Sequence, residues 1–507
     1  MSHTVRLARS TIIVYAQQIV LTLIGAIYFI CLTRLLPPYE MGVYSALCFL
    51  WVILNFAPTL ALHLALVRFI PHYLGRGEKD KAGAVAFTGF VVVSVMAFTI
   101  FALVQILTPN ISRLLLGKES YTGLIRILSV SMLFSTLSSL LDAIMQALEL
   151  WSYRALITIA SWSFGYVSII LMLYRGLGLL SVAIGWLIQA ATAVAMFFLV
   201  AFRKFRPVKL WHPMRPLLSY SIPLYVSNII AIVANWADRL VVLKVLKLEE
   251  LGYYHVATTA FMILWGIPLI ISYIVFPFLS KLYAVKNAEI VELGISKIIR
   301  YLFLAYTPAV VFSSLTAPVV VVTLLGIRYE RSIYPFQIMA FFSLLAAIYP
   351  EIIIALLTLK KSLLVMLINI MVIVIDLALS LNLIAILSIE GAAMARVLSL
   401  VTGAIASTLL LRRMVRIEVD VSEIGKIVFS AFITSPILTL SLLIEIMELY
   451  WRLPLLIGLG LLYLLSYALI LRILKVLKKE DVQLLEGIMI GPLKGLVRKL
   501  SPILVSS

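Results

Sequence analysis

Apolar runs of roughly 20 residues, separated by short polar stretches, fill almost the whole chain. A run of that length crosses the hydrocarbon core of a bilayer as a helix. In lipid the backbone must pair its own polar groups, which an isolated strand cannot do. The pattern predicts about fourteen spans. Six fall at 11–33, 43–66, 83–108, 122–148, 153–175 and 178–202, and six more at 217–243, 252–279, 298–321, 332–358, 362–387 and 389–411. Two further spans are placed at 425–446 and 453–474. No cleavable leader pattern precedes the first run, which reads as a retained anchor.

The polar punctuation repeats at an offset of about 210 residues. Arg34-Leu-Leu-Pro-Pro-Tyr-Glu-Met-Gly-Val-Tyr44 returns as Lys244-Val-Leu-Lys-Leu-Glu-Glu-Leu-Gly-Tyr-Tyr254, with the cation, Glu40/Glu250, Gly42/Gly252 and Tyr44/Tyr254 in step. Leu115-Leu-Gly117 with Tyr121 returns as Leu324-Leu-Gly326 with Tyr329, and Ser181-Val-Ala183 as Gly391-Ala-Ala393. Three matches in order indicate a duplicated bundle. An even number of spans per half gives both halves one orientation, so the pseudo-axis runs along the membrane normal. The fold class expected is an all-α polytopic membrane protein: two six-helix lobes in parallel pseudo-twofold repeat, plus two C-terminal helices. The expected domains are an N-lobe at 1–205, a C-lobe at 206–415, the extra helices at 416–475 and a tail at 476–507.

Composition supports a membrane protein. Of 507 residues 63% are hydrophobic and only 13% charged, too few charges to cover a soluble protein of this length. The net charge of +18 is explained by topology. With a cytoplasmic N-terminus, about 29 Lys and Arg fall inside, about 11 outside, and Arg396 within a helix. The heaviest clusters, Arg203 to Arg215, Arg412 to Arg416 and Lys475 to Lys479, are then cytoplasmic, as are both termini. No basic domain with interleaved aromatics points to nucleic acid. Residues 68–82 read as a charged cytoplasmic connector and 203–216 as the linker between repeats. The tail from about 476 has the pattern either of an amphipathic helix on an anionic leaflet or of a disordered basic tail.

Enzyme chemistry finds no support. Cys31 and Cys48 read as small buried apolar residues, and the five His are scattered. No phosphate-binding loop, nucleophile elbow or zinc-protease motif occurs. The chain is expected to be neither an enzyme nor a holder of a cofactor or metal, with Na⁺ or H⁺ coupling left open.

The stretch Leu32-Thr-Arg-Leu-Leu-Pro-Pro-Tyr-Glu-Met-Gly-Val-Tyr44 resembles the signature of polysaccharide-type flippases in the multidrug/oligosaccharidyl-lipid/polysaccharide exporter superfamily. Ile222-Pro-Leu with Asn235-Trp-Ala-Asp-Arg239, Leu325-Gly326 with Tyr329, and Glu390-Gly-Ala-Ala393 are similar to that family as well. The resemblance covers nearly the whole chain. It implies two six-helix lobes around a central cavity. It also implies translocation of a prenyl-(pyro)phosphate-linked oligosaccharide across the cell membrane, headgroup through the cavity and tail in lipid. Its partners would be that lipid-linked oligosaccharide, membrane lipids and glycan-assembly enzymes. The alternative on the same fold is a cation-coupled multidrug or metabolite antiporter. A synthase would need a cluster of loop carboxylates, which the longest loops lack.

A charged headgroup cannot cross hydrocarbon unaided, so its path must supply cations for phosphate. The substrate-binding candidates are Arg34 and its repeat mate Lys244, Arg68, Arg239 and Arg396. The first four sit where long cations also snorkel to the interface. Arg396 lies about two turns inside its span and needs a partner or a wet cavity, and Asp376 in the preceding span is the obvious one. The pair is either structural or part of transport. The ion-coupling candidates are Glu351, Asp142 and Asp376. Asp142 and Glu351 are 209 positions apart, at equivalent sites of the two repeats. A buried carboxylate is a natural site for a proton or Na⁺. The superfamily resemblance favours Glu351, because some multidrug members use an acid in the tenth helix.

Overall fold

The computed structural model describes residues 3–204, 208, 210–284, 288–415, 420–444, 447–478 and 481. Among these, every regular element is helical. Twelve helices are long and apolar enough to cross a membrane, and a bent pair adds a thirteenth. The longest, Ser362–Arg412, has 51 residues, about 75 Å of helix and more than twice a bilayer core. It breaks at Ser388, whose φ of 56° no helix accommodates, and so divides into two spans where the apolar pattern places the boundary.

The first repeat runs α1 (His3–Leu35), α2 (Pro38–Phe56), α3 (Leu62–Gly75), α4 (Lys79–Leu116), α5 (Thr122–Ala147), α6 (Trp151–Tyr174) and α7 (Leu180–Lys204). The expected span 43–66 is not one helix. Pro58 lacks the N–H that would continue α2, and the chain turns through Ala57–Thr59 with Leu60 and Ala61 left-handed. The expected connector 68–82 is helical except at 76–78, its first part being the end of α3. Its apolar face, with Leu66 and Ile70, packs on Val85 and Val93 of α4 and Leu140 of α5, which outweighs its charges. The third span is longer than 83–108 and carries Pro109 inside it.

The second repeat runs α8 (Met214–Val245), α9 (Leu248–Ala284), α10 (Ala288–Val320), α11 (Ile333–Ala346), α12 (Tyr349–Thr358) and α13 (Ser362–Arg412). The expected tenth span, 332–358, is in fact α11 and α12, bent by 40°. Pro350, in the first turn of α12, cannot donate back to the end of α11, and so fixes the break. The last region holds α14 (Val421–Ile433), α15 (Ser441–Ile444) and α16 (Leu449–Ile473). The expected helix 425–446 is interrupted by a 3₁₀ stretch over Ser435–Leu440, where Pro436 stands. The tail reading from 476 lies outside the described residues, apart from 476–478 and Asp481.

The chain forms two compact units, one of Met1–Trp236 with Leu246–Gly252, the other of Ala237–Val245 with Tyr253–Ser507. In the first, Leu62, Ile70, Val85, Leu140 and Ile144 form a core. In the second, Ile299, Ile352, Leu356, Ile368 and Leu411 form one core, and Val311, Ile427, Leu459 and Tyr463 join α14 and α16 to α10.

The repeat-matched glycines explain their own spacing. Within the first unit a Cβ on Gly42 would overlap the carbonyl oxygen of Leu248, and one on Gly252 would overlap that of Pro38. Each glycine lies against the residue four before the other, a reciprocal crossing of α2 with the first turn of α9. Gly42→Ala gains about 1 kcal/mol of helix propensity, yet is expected to lower the melting temperature, because overpacking costs about 1–3 kcal/mol. Gly25→Ala in α1, where nothing lies within 4 Å, is the control expected to be neutral or stabilising.

Candidate functional site

Intramembrane charge is concentrated in the second unit. Asp238 comes from α8, Tyr254 from the first turns of α9, and Asp376 and Arg396 from the two segments of α13. Asp238 is 1% exposed, Asp376 2% and Arg396 9%. Arg396 Nη1 stands 3.8 Å from Asp376 Oδ2. Asp238 is Arg396's other charged neighbour. Tyr254 Oη donates to Asp238 Oδ2 at 2.6 Å, and the backbone N–H of Arg239 donates to Oδ1 at 2.8 Å. Arg239 is half-buried and its Nε donates to Thr258 Oγ1 at 3.2 Å. One guanidinium thus balances two carboxylates, and Asp376 Oδ1 has no hydrogen-bond partner among the described residues. Charges this deep persist only by compensating one another, since desolvating each costs several kcal/mol.

A second acid stands apart from this cluster. Glu351 lies in the first turn of α12, just past the helix break, and is 3% exposed. Ser272 Oγ, on α9, donates to its Oε2, while Oε1 has no partner. A carboxylate at a helix N-terminus is stabilised by the aligned peptide dipoles. Glu351 therefore holds one hydroxyl donor, a favourable dipole and one open oxygen, with no salt-bridged cation among the described residues.

Its repeat mate is built differently. Asp142, on α5 of the first unit, accepts from Arg154 Nε of α6 at 2.6 Å, and both side chains are part-exposed. The equivalence of Asp142 and Glu351 is one of position; their chemistry has diverged.

The remaining cations are peripheral. Arg34 ends α1 and Lys244 ends α8, both exposed. Arg68, exposed on α3, lies over the ring of Tyr220 at 4.3 Å. Of the expected site residues, the structure brings Asp376 and Arg396 together, and sets Arg239 next to their neighbour Asp238.

Several participants had no role in the sequence reading. Asp238 lies inside the Trp-Ala-Asp-Arg stretch and is an acid within a span, which is signal enough. Tyr254 is a repeat-matched residue. Ser272 gives no signal. Nor was Arg300 of α10 expected, whose guanidinium donates to Glu423, Val476 O and both oxygens of Asp481, each at 2.7 Å. Cys31 and Cys48 are part-buried, and neither is in a disulfide. Among the described residues no three His, Cys, Asp or Glu side chains converge as a metal site would.

The model of a family described as "Polysaccharide biosynthesis protein" matches residues 31–334. No curated protein sequence matches the chain. Among solved structures, the lipid II flippase MurJ in an inward closed conformation shares the fold with a TM-score of 0.73 at 16% identity, covering 92% of this chain and 99% of that one. An inward-facing multidrug resistance MATE family transporter of the MOP superfamily gives 0.67 at 17%, covering 77% and 94%. An outward-facing MATE structure gives 0.55 at 16%, covering 81% and 94%.

Proposed function

The chain belongs to the polysaccharide biosynthesis protein family, and from that premise we propose that it is a flippase for a prenyl-(pyro)phosphate-linked oligosaccharide, working by alternating access in the cell membrane. The observation that carries the reading is the combination of this family with a fold that matches a lipid II flippase over 92% of the chain, against 77–81% for the MATE transporters. On this reading both termini lie in the cytoplasm, where enzymes that assemble the glycan would deliver the substrate.

Loss of the protein is expected to leave the lipid-linked sugar on the inner leaflet, protected in intact cells from an impermeant glycosidase added outside. Unchanged exposure of the sugar would count against the reading.

Coupling to a cation is assigned to Glu351. Protonation or Na⁺ binding at its open oxygen removes the cost of burying a bare carboxylate. Asp142 already has Arg154 and lacks that need. Glu351→Gln, nearly isosteric, is expected to abolish the dependence of transport on an ion gradient while preserving the melting temperature. Asp142→Asn is expected to leave gradient dependence intact. Persistent gradient dependence in Glu351→Gln would remove Glu351 from coupling.

A further inference from the structure

The first unit contains a continuous aromatic cluster drawn from four helices. Tyr28 of α1 stacks on Tyr166 of α6, centroids 4.0 Å apart and rings 9° from parallel. Tyr166 meets Trp162 at 5.3 Å, Trp162 meets Trp51 of α2 at 6.4 Å, and Trp51 meets Trp186 of α7 at 5.6 Å. Tyr44 of α2 closes the series on Trp186 at 5.8 Å. Such rings alone describe an ordinary helical core.

The polar atoms among them do not. Trp51 Nε1 and Gln189 Oε1 are both buried without a hydrogen-bond partner. Gln189 is 8% exposed. It packs at the α6–α7 crossing against Gly165, where a Cβ would stand 2.6 Å from its own. Gln189 is one turn from Trp186 on α7, and the Gly165 it packs against is one turn from Trp162 and next to Tyr166 on α6. A buried donor or acceptor left unpaired costs about 1–3 kcal/mol. Here an indole N–H donor and an amide oxygen acceptor both stand open in one aromatic setting.

The chemistry of the missing partner is constrained by charge. The helical stretches 12–33, 41–56, 155–173 and 180–202, which carry all six rings and Gln189, contain no Asp, Glu, Lys or Arg. These stretches offer a phosphate no cation, and of the charges on α5, which packs on α7, Asp142 is already engaged by Arg154. A cationic drug would lack a carboxylate, although ring faces attract cations. A neutral ring that offers C–H faces to aromatics, with hydroxyls to accept from an indole and donate to an amide, fits all three features. We propose that this cluster is a saccharide-binding site for the neutral sugar of the headgroup, resting on the flippase reading for the identity of the substrate.

The site makes a prediction that packing does not. A glutamine kept for packing lowers stability when replaced. One kept for a ligand is relieved by an apolar isostere and loses binding. Gln189→Leu is expected to keep or raise the melting temperature, and to weaken saturable quenching of tryptophan emission by free neutral disaccharides (maltose and chitobiose) by about tenfold, or ~1.4 kcal/mol. Trp51→Phe, which removes the indole N–H, should weaken it similarly, and Trp451→Phe, outside the cluster, should not. A lower melting temperature with unchanged quenching in Gln189→Leu overturns the site, as does absence of any saccharide response in the parent protein. If lipid-linked sugar is still flipped in that case, the flippase reading survives alone. If tetraphenylphosphonium quenches saturably and the saccharides do not, both readings fall.

Discussion

Arg396→Leu is expected to be among the most damaging single substitutions in the protein, lowering stability by about 3–5 kcal/mol. The guanidinium is the positive member of a buried set with Asp376 at 3.8 Å and Asp238 alongside. Removing it leaves two carboxylates facing each other in the membrane interior, and at least one must take up a proton. Asp376→Asn is expected to cost less, because Asp238 remains to balance Arg396. Replacing Asp376 and Arg396 together by Leu should return most of the stability, since Asp238 keeps Tyr254 and the Arg239 N–H. Thermal unfolding in detergent ranks the three variants. Transport by the double variant decides the role of Arg396. Full activity makes the cluster structural, whereas lost activity in a stable protein keeps Arg396 in the transport path. Arg396→Lys adds a second test, because a point charge cannot reproduce a planar fork.

Arg300→Met is expected to have a comparable effect at the other end of the second unit. One side chain ties α10 to Glu423 of α14 and to Asp481 beyond α16, through four hydrogen bonds of 2.7 Å. Tyr301 Oη and the Lys478 N–H also donate to Asp481. Burial pushes the Asp481 carboxyl up, but the Arg300 fork and the Lys478 N–H hold it below its ordinary value. A lowered folded-state value stabilises above the unfolded aspartate pKa of about 3.9 and is lost as pH falls through the lower folded one. Arg300→Met should therefore cost about 3–5 kcal/mol at neutral pH and abolish the loss of stability on acidification below about pH 4 that this pair contributes. An unchanged acid profile in the variant would mean that the fork does not hold Asp481.

Much of this fold can be read from the sequence, because lipid leaves few choices. The break at Ser388 sits where the apolar pattern divides two spans, and the matched Gly42 and Gly252 prove to be a mutual contact. Both follow from length, period and repeat. Breaks inside a span are harder to see. The run 332–358 keeps its apolar character on both sides of the bend, so hydropathy does not end a span there, and only Pro350 with Glu351 beside it marks the place. The helical Leu62–Gly75 is hidden by its charges, because tertiary burial of one face is not a local property. In the site, Asp376 with Arg396 was legible from two opposite charges in adjacent spans. Asp238 and Tyr254 complete that cluster only through tertiary packing. Position alone equates Asp142 with Glu351, and only the structure shows that one meets Arg154 and the other Ser272.

The central claim is tested most directly with the purified protein in liposomes holding a fluorescent prenyl-pyrophosphate oligosaccharide in both leaflets. Reduction of the outer-leaflet label by an impermeant quencher measures what has crossed. The account predicts that the protected inner pool becomes accessible on the time scale of transport, only with protein present, and more slowly with Glu351→Gln under an imposed ion gradient. An inner pool that stays protected, in vesicles whose protein does export a cationic dye, would contradict it and make the chain an antiporter.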